Sequence, residues 1–190
     1  MIRTERLILR RFVPEDWKDL FSYLSDPQVV YYEPYDVFSE QACVEEAARR
    51  SKDESFWAVC LKENGRLIGN IYLDKQDFDT WELGFVFHSE YQGRGYAAES
   101  AGALIDDAVD NRRLRRLIAM CNPENRKSWR LLERLGMRRE GHLIQNVFFR
   151  RDGSGLPIWQ DTYLYGQLAG ERKKRPQLSE GTSGNTNEGI

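Results

Sequence analysis

The chain has only three cysteines, two histidines and no long apolar run among its 190 residues. Cys43, Cys60 and Cys121 stand far apart, without Cys-x-x-Cys spacing and with almost no histidine to complete a ligand set. A zinc site or a disulfide framework is therefore not what organises this fold, no metal is expected, and free thiols in a reducing cytosol follow. The first residues alternate charge and aliphatics (Arg3, Glu5, Arg6, Ile8, Arg10), unlike the uninterrupted apolar stretch of a signal peptide. No other run is long and apolar enough for a bilayer span, so a cytoplasmic protein without a membrane partner is expected. Charged residues make up 31% of the chain, yet the net charge is only -2, which argues against wrapping nucleic acid. Any electrostatic recognition must be local. There is no internal repeat.

What is present suits one domain: at this length, a 41% hydrophobic content supports a sizeable core. Arg3 to Phe12 reads as a strand, and Pro14 then opens a helix carrying Trp17, Leu20, Phe21 and Leu24 at helical spacing. Asp26 and Pro27 break it. An aromatic, acidic loop follows, with Tyr31, Tyr32, Glu33, Tyr35 and Asp36, before Ser39 caps a second helix running to about Lys52. Phe56 to Leu61 and Arg66 to Leu73 form a hairpin pattern around Glu63, Asn64 and Gly65, and Trp81 to Phe87 adds a third strand. A helix from Ala97 to about Asn111, a strand from Leu114 to Cys121, a helix from Asn125 to Leu135 and closing strands at Met137 to His142 and Ile158 to Gln167 complete the pattern. The expected fold class is α/β: a mixed, mostly antiparallel central sheet flanked by helices, in a single domain over 1–168. Residues 169–190 have almost no apolar side chains and read as a disordered tail, and the basic run Arg172 to Arg175 reads as solvated terminus.

Gln92, Gly93, Arg94, Gly95, Tyr96 and Ala97 lie between a strand and a helix, where exposed backbone N–H groups and the helix dipole combine into an anion site. The same residues would also serve a plain strand-to-helix turn. A Gly-Lys-Ser/Thr ending is missing and the glycine spacing is not that of a dinucleotide fingerprint, which disfavours nucleotide hydrolysis and hydride transfer. In the strand before this turn, Trp81, Leu83, Phe85 and Phe87 share one face and Glu82, Gly84 and Val86 the other. Further on, Asn125 suits a helix N-cap, while spacings of three, four and seven put Ser128 on the face of Leu131, Leu132 and Leu135, pointing at the sheet.

On these two constellations the sequence resembles the GNAT superfamily of N-acetyltransferases. Its pyrophosphate signature is Gln or Arg, two residues, Gly, one residue, then Gly or Ala, and Gln92, Gly95 and Ala97 fit it. The Asn125-x-x-Ser128 helix ending in Leu135, Gly136 and Met137 is similar to the family's second motif, with methionine for the usual phenylalanine. The Arg- and Leu-rich opening strand, the Asp26-Pro27 break, and the stretch from Gly141, His142 and Leu143 through Asn146, Phe148, Phe149 and Arg150 to Trp159, Asp161 and Tyr163 resemble the RimJ/RimL-like branch. The likeness runs from about Thr4 to Leu168.

The resemblance implies a GNAT-like fold and acetyl-CoA as acyl-donor cosubstrate. By it, Gln92 and the backbone of Gly93, Arg94, Gly95, Tyr96 and Ala97 cradle the pyrophosphate. Phe85, Val86 and Phe87 would bond the pantetheine arm like an added strand, one of their N–H groups facing the reacting oxyanion. Asn125 would contact the arm, and Ser128 would lie near the coenzyme sulfur as a candidate proton donor to the departing thiolate. Glu82 is the candidate base for the ammonium proton, its distance from Gln92 approximating that in the histone acetyltransferase branch with one residue fewer; a surface or strand-pairing carboxylate is the competing reading. Tyr31, Tyr32, Glu33 and Asp36 fall where relatives line the acceptor side, and aromatic faces beside carboxylates suit a cationic amine, though they would equally pack a loop onto the core.

The expectation is acetyl transfer to a primary amine, either a protein N-terminal α-amino group or a small molecule, by direct attack in a ternary complex. Cys43 and Cys121 are then bystanders, and His88 and His142 are structural or surface residues. The lack of a strong acidic surplus weighs against polyamine or aminoglycoside specialisation. From another class, the same features would fit a non-catalytic acyl-CoA sensor or interaction module. The assembly expected is a monomer or homodimer.

Overall fold

The computed structural model describes residues 1–172. The strands are β1 (Ile2–Arg3), β2 (Leu7–Arg10), β3 (Phe56–Leu61), β4 (Leu67–Lys75), β5 (Thr80–Phe87), β6 (Arg116–Cys121), β7 (Arg138–Arg151) and β8 (Pro157–Leu168). The helices are α1 (Trp17–Leu24), α2 (Glu40–Arg50), α3 (Tyr96–Asn111) and α4 (Arg126–Arg134). All eight strands join one sheet in the order β1-β2-β3-β4-β5-β6-β8-β7. Neighbours run antiparallel except β5 and β6, which are parallel and joined through α3. The mixed α/β architecture expected from the sequence is what forms.

Strand alternation explains why helices cover both faces. Trp57, Val59 and Leu61 of β3 join a cluster with Leu83 and Phe87 of β5 and with Ala101, Leu104 and Ile105 of α3 and Leu132 of α4. Ala58 and Cys60, one residue out of step, join Val86, Leu20 and Tyr23 of α1, and Cys43 and Ala47 of α2 on the other face. Leu104 and Ile105 are fully buried, each worth roughly 1.5–3 kcal/mol of transfer free energy. Helix α2 starts where its cap demands, with the Ser39 hydroxyl accepting from the Ala42 N–H at 3.2 Å.

Three elements differ from the sequence pattern. The opening strand expected from Arg3 to Phe12 is instead the short hairpin of β1 and β2, with Ile2 opposite Leu9, because the chain turns back between Thr4 and Arg6. Strand β7 runs on to Arg151 instead of stopping near His142. Its register against β8 shifts three times, between Arg139 and Gly141, Leu143 and Val147, and Phe148 and Arg151, so the period-two signal that marks a strand is broken. The first residues of the expected tail are also ordered. Ala169–Glu171 form a 3-10 turn, and Arg172 pairs with Asp106 of α3 at 2.5 Å and donates to the Leu135 carbonyl at 3.0 Å. The remainder of that expectation, residues 173–190, lies outside the described residues. No helix among the described residues is long and apolar enough to cross a membrane.

Candidate active site

The parallel pairing of β5 with β6 is short. Thr80, Trp81 and Glu82 face Arg116, Leu117 and Ile118, and there it ends. Strand β6 continues as Ala119 to Cys121 on β8, while β5 continues as Leu83 to Phe87 on β4. The strands part, and a cavity of about 660 Å³ opens between them, walled by Glu82 to Val86 on one side and Ala119 to Asn122 on the other. Asn125 and Ser128 of α4 and Tyr32, Glu33 and Tyr35 of the loop before α2 complete its rim.

The open edge of β5 has a defined polarity. The His88 N–H bonds the Ile68 carbonyl, so residues in step with His88, including Val86, turn their backbone groups to β4. Phe85 and Phe87 turn theirs to the opening. Val86, expected beside them, offers that edge no backbone group and sends its side chain into the α1 and α2 face. The Phe87 carbonyl is occupied, accepting from Gln92 Nε2 at 2.9 Å.

That bond shows what Gln92 does. Its amide ties the turn back to β5, and its Oε1 accepts from Lys127 Nζ at 2.9 Å, which puts a cation beside the turn. The turn itself is built for an anion. Gly93 and Gly95 hold φ of 76° and 84°, conformations L residues avoid, and a Cβ at Gly93 would meet nothing within 4 Å. Gly95 is the N-cap of α3 with no side-chain hydrogen bond to the first-turn amides, so those donors face outward at the positive end of a 16-residue helix. Arg6 buttresses the turn from below: its Nη1 donates to the Arg94 carbonyl at 3.1 Å, its Nη2 pairs with Glu99 at 2.7 Å, and its guanidinium lies 4.4 Å from the Tyr96 ring centroid. A diphosphate fits this arrangement of bare amides, basic side chains and missing Cβ atoms.

The catalytic candidates converge on the cavity. Glu82 is opposite Asp74 in the β4 register; burial, reinforced by the Asp74 charge, pushes its carboxyl above the usual range. On α4, Asn125 Oδ1 accepts from the Ser128 N–H at 3.2 Å, the capping role expected of it, and both residues also line the cavity. Ser128 lies beside Cys121 in the cavity wall, and burial raises the Cys121 thiol to about 11. Cys43 and Cys60 are likewise buried free thiols.

The acceptor loop is only partly as expected. Tyr32 and Glu33 line the cavity, and desolvation pushes the Glu33 carboxyl up to about 7, with Tyr35 and Arg50 pulling the other way. Tyr31 is exposed and lines an adjoining groove of about 550 Å³, which shares Tyr32, Asn122 and Gln160 with the cavity. Asp36 lines neither; its exposed carboxylate pairs with Arg150 at 3.3 Å. The reason is Arg150, which also donates to the Tyr31 carbonyl at 3.0 Å and fastens the loop to β7. His142 bonds Asp161 on the groove wall and His88 caps the turn at Ser89, away from the cavity.

Sequence reasoning missed Arg49 and Arg50 in the cavity wall, together with Tyr72, Asn70 and Gln160. For Arg50 a signal existed: Cys43, Ala47 and Arg50 follow one another by four and three, so all three share the buried face of α2. Among the described residues no cluster of three or more metal-binding side chains occurs.

Comparison with known proteins accords with this geometry. Residues 6–138 match the model of the acetyltransferase (GNAT) domain. The uncharacterized N-acetyltransferase YnaD of Bacillus subtilis is 36% identical over 172 residues, spanning 90% of this chain and 98% of that protein. An acetyltransferase (GNAT family) from Bacillus anthracis superposes with a TM-score of 0.81 at 34% identity, over 89% of this chain and 98% of the other. The spermidine N-acetyltransferase of Vibrio cholerae, solved with CoA and spermine, gives a TM-score of 0.73 over 88% of this chain and 98% of that one, a likeness of fold at 20% identity. Family model, near relative and fold agree with one another: this chain belongs to the GNAT family of acetyltransferases and is an N-acetyltransferase.

Proposed function

We propose that the protein transfers an acetyl group from acetyl-CoA to a primary amine by direct attack in a ternary complex, in the manner of the RimJ/RimL-like branch and in the cytoplasm. The observation that carries this is the opening between β5 and β6, lined by polar side chains, together with the uncapped turn of Gly93 to Ala97 that follows β5 and is tied to its last residue through Gln92. The turn holds the diphosphate, and the Phe85 backbone holds the arm along the free edge of β5. The backbone role expected of Val86 falls to Phe85 and Phe87. The thioester supplies an activated acyl carbon.

The residues of this chain do the rest. Glu82, with its raised basicity, takes the ammonium proton directly or through water. The freed nitrogen forms a bond to the acyl carbon and gives up its second proton to water, while a Phe85 or Phe87 N–H on the open edge steadies the oxygen as it gains charge. The C–S bond breaks, and the sulfur receives a proton from Ser128. The net change is ammonium plus thioester to amide plus thiol, with one proton released to solvent. Tyr32 and Glu33 receive the incoming cation.

The test is thiol release from acetyl-CoA across a panel of primary amines, run alongside calorimetry for acetyl-CoA. Amine-dependent release is expected. Tight binding with no release for any amine would show the chain to be a sensor rather than a catalyst.

A further inference from the structure

We propose that the amine acceptor also carries a carboxylate, and that Arg50 at the end of α2 is the residue that holds it. This rests on the acetyl-transfer reading above and names the class of its acceptor.

Arg50 is 3% exposed and belongs to the wall of the acceptor cavity. A buried guanidinium needs acceptors for its N–H groups and a counter-charge. Its Nε donates to Glu46 Oε1 at 2.7 Å. That carboxylate is already shared, because Arg49 donates to the same oxygen from Nη2 and to Oε2 from Nε, both at 2.8 Å. Arg49 has Asp53 as a second partner at 3.0 Å; Arg50 has no second carboxylate hydrogen-bonded to it.

Arg50 Nη1 is buried and has no hydrogen-bond partner. The other such side-chain atoms among the described residues are Trp57 Nε1, Trp81 Nε1 and Gln167 Oε1, and none of those three residues lines the cavity. Charged donors are seldom left unmet in a folded interior, so a donor at the wall of a substrate cavity points to a ligand acceptor.

The surroundings specify the kind of group. The Phe56 and Phe12 rings lie 4.6 and 5.5 Å from the guanidinium carbon, covering it with apolar surface and leaving hydrogen bonding to the nitrogen edge. A planar carboxylate meets a guanidinium edge-on. The Tyr35 hydroxyl lies next to Arg50 and Glu33, at the same end of the cavity. Glu33 feels the Arg50 charge, but desolvation raises its carboxyl to about 7, so it offsets that charge only in part near neutral pH.

The spacing follows from the sheet. The Phe56 ring touches Tyr72, with centroids 5.2 Å apart, and Tyr72 faces Gly84 of β5. Phe56 and Gly84 are thus two strand spacings apart, roughly 10 Å. An acceptor whose amine lies at β5 and whose carboxylate lies at Arg50 spans the aromatic floor between them: an amino acid with a side-chain amine, a short peptide, or an aminoalkyl aromatic acid.

The test pairs each acid with its own amide, which keeps the amine and the shape but drops the negative charge. Lysine and lysinamide, glycyl-phenylalanine and its amide, and 4-(aminomethyl)benzoate and its amide are compared by thiol release at saturating acetyl-CoA. Wild-type protein is expected to favour at least one acid over its amide by tenfold or more in kcat/KM, through KM. In Arg50→Lys and Arg50→Met the acid-to-amide ratio falls toward one while acetyl-CoA affinity stays. Should the Arg50 variants fail to fold, the wild-type comparison decides by itself. Amides equal to or better than their acids for every pair, with turnover intact, overturn the anion anchor and leave acetyl transfer standing. No acetyl-CoA binding and no release with any acceptor overturns both.

Discussion

Arg150 Nη1 donates to the Tyr31 carbonyl at 3.0 Å, joining the bulged edge strand β7 to the loop that walls the acceptor side. The same guanidinium reaches the Val30 and Tyr35 carbonyls at 3.4 and 3.5 Å and the Asp36 carboxylate at 3.3 Å. One side chain therefore fixes a turn of the loop at several points. Tyr32 and Glu33 lie inside that turn and depend on it for their place in the cavity.

The first prediction concerns this clamp. Charge-assisted hydrogen bonds to backbone are worth about 1.5–3 kcal/mol each when buried and less when exposed, as this one partly is. Arg150→Ala is expected to raise KM for the amine by about tenfold, with acetyl-CoA affinity unchanged, because the cradle lies on other elements. Steady-state kinetics in each substrate, with calorimetry for acetyl-CoA, check it; a weakened acetyl-CoA affinity and an unmoved amine KM would contradict the assignment.

A second prediction separates the two glycines of the cradle from the rest of the site. At φ of 76° and 84°, alanine at Gly93 or Gly95 costs about 1–2 kcal/mol of backbone strain. Either the turn relaxes and its amides lose their aim, or the methyl stands where the diphosphate comes. Gly93→Ala and Gly95→Ala should each weaken acetyl-CoA binding about tenfold or more while leaving the amine KM alone at saturating acetyl-CoA. Titration calorimetry reads the first effect and melting curves confirm the fold.

Much of this was legible from local pattern, and what was not shares one physical cause. Strands β3 to β5 announce themselves by alternation, Ser39 by its capping chemistry, and the glycine turn by its position between strand and helix. Arg150 with Tyr31 cannot be read that way, since the pair is 119 residues apart and no periodicity links them. The same holds for Arg6 beneath the Arg94 carbonyl and for Gln92 as a tether of the turn. Asp36 misled because acidity and loop position favour a substrate contact, whereas the register of β7 supplied it with an arginine first. Arg50 was within reach, by its helical spacing from Cys43 and Ala47, but an arginine on a buried face runs against the usual expectation for that residue.

The third prediction uses the two raised carboxyls. Glu33 titrates at about 7, so it is neutral below that pH and anionic above it. A cationic amine is then received better as pH rises, and kcat/KM should show an acid limb near pH 7 that Glu33→Gln removes with little effect on kcat. Glu82→Gln should instead lower kcat by about 10²-fold or more, the usual size of a lost proton transfer. Stability gives an independent reading of Glu33. Between its ordinary value of 4.5 and about 7, the unfolded chain has released a proton that the folded chain retains, so stability declines as pH rises through that window. Glu33→Gln should flatten the decline in chemical denaturation series collected from pH 4.5 to 7.5.

The fourth prediction turns on Cys121 and Ser128, neighbours in the cavity wall. A thiol raised to about 11 is almost wholly protonated at pH 7, so Cys121 has little thiolate with which to attack a thioester. The Ser128 hydroxyl, by contrast, can hand a proton to a sulfur that departs as thiolate and recover it from solvent. Cys121→Ser should retain most of the rate, since a hydroxyl replaces the thiol beside Ser128. Ser128→Ala should lower kcat by roughly tenfold or more, with a smaller loss for acyl thioesters whose leaving thiol is more acidic and needs less help from a donor. Mass spectrometry of protein quenched during turnover should find no acetyl group on any cysteine; an acetylated Cys121 formed and consumed at the catalytic rate would replace direct attack with a two-step transfer through the thiol.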